Sequence, residues 1–140
     1  MELNMKPRRL SWLDHVRLSN LVRAPRADAR LTAHTVELAE EVLDLADQVD
    51  PRSIPRHVVT MRSRVVLASA GDRSMAVTLS YPGETSAQEG RLSVFSPLGL
   101  SLLGAEVGEV IRWSGPDGEE HTATVVDIPF QPEAAGDFTT

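Results

Sequence analysis

Residues 75–81 read M-A-V-T-L-S-Y, a run in which apolar and small polar side chains alternate. A period of two is typical of a β-strand that buries one face. The preceding residues 70–73, A-G-D-R, have the composition of a turn, and Val65, Val66 and Leu67 stand just before them. These features predict a β-hairpin, around which the rest of the domain is organised.

Short apolar runs separated by Gly and Pro continue on both sides of this hairpin. We predict further strands over residues 58–61, 92–95, 110–113 and 122–128, a short helix over 98–103 capped by Gly104, and an ordered, extended tail from Pro129 onwards. Residues 53–140 are therefore predicted to form a small antiparallel sheet with one short helix.

Upstream of residue 53 the apolar period becomes helical. Ser11 is predicted to N-cap a first helix, which should end near Arg23 because Pro25 disfavours helical geometry in the residue before it. A second helix is predicted to begin at residue 28 or 32 and to end at 48 or 49. The fold class expected from these patterns is α+β.

Six residues of the second helix repeat at alternating spacings of four and three, as in a coiled coil. They are Leu31, Thr35, Leu38, Val42, Leu45 and Val49. The first helix is the obvious partner, so residues 1–52 are interpreted as an N-terminal antiparallel helical hairpin with its tip at residues 23–30. Three heptads do not separate this hairpin from two helices packed on a globular core, or from pairing between chains.

Charge is distributed unevenly over these helices. Residues 1–30 carry seven basic and three acidic side chains, a net charge of +4, whereas residues 31–50 carry six acids and no Lys or Arg, a net charge of −6. A positive segment followed by a negative one favours two elements folded against each other. The net charge of −6 for the whole chain disfavours general binding to nucleic acid.

Composition argues against most kinds of catalytic site. The chain has no cysteine, which excludes thiolate chemistry and disulfides and favours a reducing, cytoplasmic compartment. The four histidines, His15, His34, His57 and His121, have no metal-ligand spacing, and no phosphate-binding or nucleophile motif is present. We therefore expect no catalytic residues, no metal and no cofactor. No apolar run is long enough to cross a membrane.

Several blocks in the second part of the chain resemble a known family in the same order. They are residues 58–65 (VVTMRSRV), 79–82 (LSYP), 93–99 (SVFSPLG), 102–104 (LLG) with 107–108 (VG), and 131–138 (QPEAAGDF), preceded by 13–18 (LDHVRL). Together they resemble the Rnk-type regulators of nucleoside diphosphate kinase, relatives of the Gre transcription elongation factors. Arg62 stands where this family is expected to have Asn, and we expect it on an exposed strand edge.

The resemblance implies a coiled-coil hairpin followed by a C-terminal GreA/GreB-like domain of the FKBP-like class. It implies binding to bacterial RNA polymerase near the secondary channel, where Gre factors insert an acidic hairpin tip that holds magnesium for transcript cleavage. Here the tip contains Arg23, Arg26, Asp28 and Arg30, one carboxylate among three guanidinium groups. Such a tip repels a metal ion, so we expect no cleavage activity.

The leading hypothesis is a non-catalytic regulator of transcription elongation that binds polymerase and competes with Gre factors. Its expected contact includes Ser96, Pro97, Leu98 and Gly99, although ordinary packing explains that segment equally well. We expect a monomer that contacts DNA or RNA only through the polymerase and has no membrane partner. The alternatives are a Gre-like cleavage factor, a prolyl isomerase, or a regulator of nucleoside diphosphate kinase acting by another route.

Overall fold

The computed structural model describes residues 8–23, 32–69, 73–115 and 118–138. Two helices come first, flanked by two short strands, and a five-stranded sheet with a third helix follows. The elements are β1 Arg9–Ser11, α1 Trp12–Arg23, α2 Ala33–Leu45, β2 Asp47–Val49, β3 Arg64–Ser69, β4 Arg73–Ser80, β5 Arg91–Ser93, α3 Pro97–Leu102, β6 Val110–Ser114 and β7 Glu120–Phe130. The predicted α+β class is confirmed.

The predicted hairpin is present as β3 and β4, which pair antiparallel with Leu67 opposite Met75. The whole sheet has the order β5-β4-β3-β7-β6. It is mixed rather than antiparallel, because β5 runs parallel to β4, with Leu92 opposite Leu79. Two 3-10 turns between these strands, Pro82–Glu84 and Ala87–Glu89, return the chain to the same direction.

Two other predicted elements differ from the structure. Val58 and Val59 are buried but irregular, since Val59 exchanges backbone hydrogen bonds with Gly104 and Ala105 rather than with a strand. The tail contains a turn, in which the Ala135 N–H donates to the Gln131 carbonyl, rather than extended chain alone. Both segments satisfy their backbone groups through contacts that periodicity does not encode.

The second helix ends earlier than predicted. Ala46 adopts an extended conformation after Leu45, and the Asp47 N–H donates to the carbonyl of Arg8 at 2.7 Å. Residues 47–49 then pair in parallel with β1, with Gln48 opposite Leu10. Pairing with the N-terminal strand thus replaces the last predicted helical turn.

The prediction that the heptad positions of α2 form a buried stripe is wrong. Leu38 and Leu45 are 40% and 57% exposed, whereas their neighbours Ala39 and Leu43 are buried. Leu31 lies outside the described residues. The buried side of α2 is therefore rotated by about one residue from the predicted seam.

The buried side of each helix joins the apolar core, and the two helices also contact each other. Leu18 and Val22 of α1 and Ala39 and Leu43 of α2 belong to one apolar cluster with the inner face of the sheet. From the sheet the cluster includes Val65, Leu67, Leu79, Ile111 and Val125, and from α3 it includes Leu102. Within the described ranges, no helix is long and apolar enough to span a membrane.

Candidate functional site: the joint between helix and sheet

A buried carboxylate lies where α1 meets the sheet domain. Ser11 is the N-cap of α1, as predicted, and its hydroxyl oxygen accepts from the Asp14 N–H at 3.0 Å. This cap directs the Asp14 side chain inwards, where the residue is only 3% exposed. Its Oδ2 accepts from the Met61 backbone N–H at 3.1 Å. A side chain of the first helix thus satisfies a buried backbone donor of the sheet domain.

Met61 belongs to a tight turn, residues 60–63, that side-chain hydroxyls hold together. The Thr60 N–H donates to the Ser63 hydroxyl at 3.0 Å, and the two hydroxyl oxygens are 2.8 Å apart. The Thr60 hydroxyl also donates to Oε1 of Glu133 at 2.8 Å. Carboxylates from α1 and from the C-terminal tail therefore bind the same turn, which we call the clamped turn.

Both carboxyl groups hold their protons more tightly than usual. Burial raises the pKa of Asp14 from 3.8 to about 6; the nearby Glu133 raises it further, while the Met61 N–H and Arg17 oppose the shift. Burial likewise raises the pKa of Glu133, against the hydrogen bond from Thr60. Asp14 can therefore take up a proton near pH 6 while the chain is folded.

Arg62 occupies the third position of the clamped turn with a φ of +69°, the left-handed region. Its N–H donates to the Leu79 carbonyl at 2.6 Å. The guanidinium donates twice to the Glu84 carboxylate, at 3.2 and 2.6 Å, and lies 5.1 Å from the centre of the Tyr81 ring. The expectation of an exposed strand edge is wrong, since Arg62 is half-buried in a turn.

The Asn expected at position 62 was the available signal for this conformation, because Asn tolerates the left-handed region better than most residues. Arg62 has to reach the same backbone geometry at a higher cost. The ion pair with Glu84 and the contact with Tyr81 offset that cost, and the pair lowers the pKa of Glu84.

A groove of about 660 Å³ runs between α1 and the Pro82–Glu84 turn. Arg17, Asn20 and Leu21 line it from the helix, and Arg62, Tyr81, Pro82 and Gly83 from the sheet domain. Burial raises the pKa of Tyr81 to about 12, and the negative charge of Asp14 adds to that shift. The phenol therefore stays neutral at physiological pH.

The predicted contact segment, residues 96–99, forms the start of α3. The Ser96 hydroxyl caps the helix by accepting from the Gly99 N–H at 3.0 Å and donates to the Ser93 carbonyl at 2.7 Å. Pro97 is exposed, while Leu98 and Gly99 are buried. A Cβ on Gly99 would lie 2.1 Å from the Ser93 oxygen, so this close approach requires glycine.

The predicted hairpin tip is described only at Arg23, an exposed residue at the end of α1. Arg26, Asp28 and Arg30 lie outside the described residues.

His15, His57 and His121 make unrelated contacts in different parts of the structure. His15 Nε2 is 2.9 Å from the Leu43 carbonyl oxygen of α2, His57 is 3.8 Å from Glu106, and His121 stacks on Trp113. In the part of the chain that the structure describes, no three His, Asp or Glu side chains cluster in a way that could hold a metal ion.

Sequence reasoning also missed a long-range contact of Arg8. Arg8 donates to the carbonyls of Ser101 and Leu103 at 3.0 and 2.9 Å and to the Glu109 carboxylate at 3.0 Å. A guanidinium at this place satisfies carbonyls at the C-terminal end of α3 and suits the helix dipole. The chain segment before α1 is thereby attached to the sheet domain.

Comparison with known proteins relates this arrangement to transcription factors. Residues 54–130 match the family model described as "Transcription elongation factor, GreA/GreB, C-term". The "Regulator of nucleoside diphosphate kinase" of Escherichia coli (strain K12) is 41% identical over 97 residues, which cover 69% of this chain and 71% of that protein. A "Transcription elongation factor GreA" of Chloroherpeton thalassium is 32% identical over 84 residues, which cover 59% of this chain and 53% of that protein.

The fold is also shared with a solved structure. "Prokaryotic transcription elongation factor GreA/GreB from Nitrosomonas europaea" superposes with a TM-score of 0.72 at 30% identity, covering 90% of this chain and all of that one (100%). These relatives are named regulators or elongation factors rather than catalysts. The chain therefore belongs to the GreA/GreB family of transcription factors, together with the regulators of nucleoside diphosphate kinase.

Proposed function

We propose that this protein is a non-catalytic regulator that binds bacterial RNA polymerase near its secondary channel, as a single chain, and modulates transcription elongation. The observation that carries the proposal is the match of residues 54–130 to the GreA/GreB C-terminal domain. The similarity to a GreA/GreB structure over 90% of the chain supports it. Contact with nucleic acid is then indirect, through the polymerase.

The two parts of the chain have separate roles in this proposal. Residues 53–140, an FKBP-like domain, anchor the protein to the polymerase, and residues 1–52 form a short helical hairpin that approaches the channel. The contact between His15 of α1 and the carbonyl of Leu43 in α2 supports helices that run side by side. The bond from Met61 to Asp14 joins the two parts and would set their relative orientation.

The anchoring surface is proposed to include residues 96–99. Pro97 is the exposed member of this set, whereas Leu98 and Gly99 are buried and hold the start of α3 in place. Ser96 caps the helix through its side chain. We therefore infer that Pro97 would make the direct contact and that the other three shape the surface behind it.

The hairpin tip favours a regulator over a cleavage factor. Arg23, Arg26 and Arg30 surround the single carboxylate of Asp28 in the sequence. A cleavage factor must bring carboxylate oxygens to a divalent metal, and neighbouring guanidinium groups oppose this. The tip would instead contact phosphate or acidic protein side chains.

Binding of the purified chain to core RNA polymerase, alone and in competition with a Gre factor, tests the proposal. We expect binding that GreA displaces, and no binding to core enzyme at micromolar concentration would refute it. Pro97→Glu should weaken binding, because a charge would enter the contact surface, while Glu remains acceptable in the first turn of a helix. Pro129→Glu, at another exposed proline, is the matched control.

Transcript cleavage is tested separately in backtracked elongation complexes. We expect no shortening of the RNA beyond the rate of polymerase alone. Stimulated cleavage that Asp28→Asn abolishes would show that the tip holds a metal ion after all.

A second candidate function is regulation of nucleoside diphosphate kinase, which the name of the Escherichia coli relative states for that protein. Purified kinase assayed with and without this chain distinguishes a direct effect from one through transcription. A direct route requires a change in kinase activity in the absence of polymerase.

A further inference from the structure

The face of the sheet that points away from the core carries a row of side chains that the proposed function does not use. The strand register places Arg64 of β3 opposite both Thr78 of β4 and Phe130 of β7, and it places Arg91 of β5 opposite Thr78 in turn. Directly opposite residues lie on the same face of a sheet. Val65, which follows Arg64, is buried in the core, so the row faces outwards. We call Arg91, Thr78, Arg64 and Phe130 the outer row.

The outer row lines a cavity of about 610 Å³, which we call the outer groove. Arg62, Glu84 and Glu89 line the groove beside the row. Pockets that hold small molecules are usually about 300–1000 Å³ in volume. The outer groove therefore has room for a small ligand, and its charges indicate which kind.

Three guanidinium groups and two carboxylates line the outer groove, a net charge of +1 in a chain whose net charge is −6. Glu84 pairs with Arg62 at 2.6 Å, and Glu89 pairs with Arg91 at 3.1 Å. Among the described residues, no carboxylate lies within ion-pair distance of Arg64. Arg64 is therefore the cation that an anionic ligand would meet.

The polar side chains of the outer row suit one phosphate group. A guanidinium is planar and directs its N–H donors at two oxygens of a phosphate or carboxylate at once. The Thr78 hydroxyl lies beside Arg64 and can donate to the same group. The two paired guanidinium groups keep unused donors, because each has five N–H groups. A phosphate has oxygens in several directions and can accept from more of these donors than a carboxylate can.

Phe130 supplies a flat apolar surface beside Arg64. Its side chain is 46% exposed at the end of β7. One strand spacing, about 5 Å, separates the two residues at the backbone, so a single small molecule can contact both. A ring of the ligand can stack on the phenyl group while a phosphate of the ligand lies on the guanidinium.

We propose that the outer groove binds a small ligand in which one phosphate group is attached to a flat ring system, the chemistry of a nucleoside monophosphate. Arg64 holds the phosphate, Thr78 adds a hydrogen bond, and Phe130 stacks on the base. A net charge of +1 in the groove suits one phosphate group, whereas the net charge of the chain opposes a long polyanion.

Titration of the full chain with adenosine monophosphate (AMP), followed by calorimetry and by NMR of the backbone amides, tests this proposal without polymerase. We expect saturable binding that shifts the amide resonances of the outer row. Arg64→Ala should weaken binding about tenfold or more, because a charged hydrogen bond is lost. Arg112→Ala is the matched control, since Arg112 is exposed on the same face of the sheet, in β6, and does not line the groove.

Inorganic phosphate as a second probe separates the two halves of the site. It should bind more weakly than AMP and should lose affinity in Arg64→Ala, whereas Phe130→Ala should weaken the binding of AMP alone. Equal affinity of the parent chain for both probes would overturn the proposal of a ring-bearing ligand, as would unchanged AMP binding by Phe130→Ala. Unchanged thermal unfolding of each variant shows that it remains folded.

Two further results would refute the site. One is no saturable binding of AMP at millimolar concentration, and the other is an equal loss of affinity in Arg64→Ala and Arg112→Ala, because net charge alone would then explain the binding. A short oligoribonucleotide completes the comparison and should bind no more tightly than AMP. Binding of the oligoribonucleotide about tenfold or more tightly would mean that this face recognises a nucleic acid strand instead.

Discussion

The carboxylate of Asp14 in α1 accepts a hydrogen bond from the buried backbone N–H of Met61, 47 residues further along the chain, at 3.1 Å. The same turn is also bound by Glu133 through Thr60. A helix near the N-terminus and a segment near the C-terminus therefore share one attachment point. The consequences are measurable in stability and in its dependence on pH.

Asp14→Ala should lower the free energy of unfolding by about 1–3 kcal/mol, because it leaves the Met61 N–H buried without an acceptor. Asp14→Asn keeps an acceptor oxygen on a side chain of the same shape but removes the buried charge. Its free energy of unfolding should therefore fall by less than that of Asp14→Ala. Urea denaturation of both variants and the parent measures the difference. Equal stability of Asp14→Ala and the parent would show that the Met61 N–H has another partner.

The stability should depend on pH as expected for a carboxyl group whose pKa is higher in the folded than in the unfolded state, so that the protein becomes more stable as the pH falls. The pKa of Asp14 is about 6 in the folded chain and 3.8 in the reference state, so the folded state binds the proton more tightly. This group should therefore raise the free energy of unfolding by about 1–3 kcal/mol as the pH falls through 6 towards 3.8. The same amount is lost when the pH rises again.

Glu84 changes the stability with pH in the opposite direction, because Arg62 lowers its pKa. Its contribution is present above the pKa of the unfolded state and is lost as the pH falls. The difference between the parent and Asp14→Asn, measured by urea unfolding over this pH range, isolates the Asp14 contribution. A difference that does not change with pH would contradict the assignment.

Substitutions of Arg62 should rank by their tolerance of a positive φ. Arg62→Asn loses the ion pair with Glu84 but adopts the left-handed conformation more easily, whereas Arg62→Ala loses the pair and keeps the strain. We expect Arg62→Asn to be more stable than Arg62→Ala by about 1 kcal/mol. Thermal unfolding measured side by side decides this, and the reverse order would mean that the turn changes its backbone geometry.

Gly99→Ala should destabilise the fold by about 1–3 kcal/mol or more, since its Cβ would overlap the Ser93 carbonyl oxygen and the Val94 backbone. Gly83→Ala is the control, because a Cβ at that position meets nothing within 4 Å. Denaturant unfolding of the two variants should separate them clearly. If both are neutral, the start of α3 can move away from β5 at little cost.

Local chemistry made several elements predictable. The alternation in residues 75–81 corresponds to β4, and Ser11 caps α1, because the strand period and a capping oxygen act within a few residues. The short sequence motifs that resemble the family are likewise recognised from the order of neighbouring residues. None of these predictions requires knowing which helices and strands contact each other in the folded chain.

The face of α2 that is buried was not predictable in this way. Two apolar stripes lie next to each other on the helix, one through Leu38 and Leu45 and the other through Ala39 and Leu43, and both satisfy a helical period. Contacts with both α1 and α3, rather than with one partner helix alone, select the second stripe. Pattern alone cannot decide between adjacent faces, because the choice depends on the shape of the opposing surface.

The sequence by itself determined the α+β class, the β3–β4 hairpin and the family of this protein, since these follow from short-range periodicity and from the order of motifs. Only the tertiary structure decided that β5 runs parallel to β4, that Arg62 lies in a left-handed turn, and that Asp14 and Glu133 bind one turn. Hydrogen bonds across 47 and 73 residues arise when burial leaves a backbone or hydroxyl donor without water. That requirement exists only once the chain has folded.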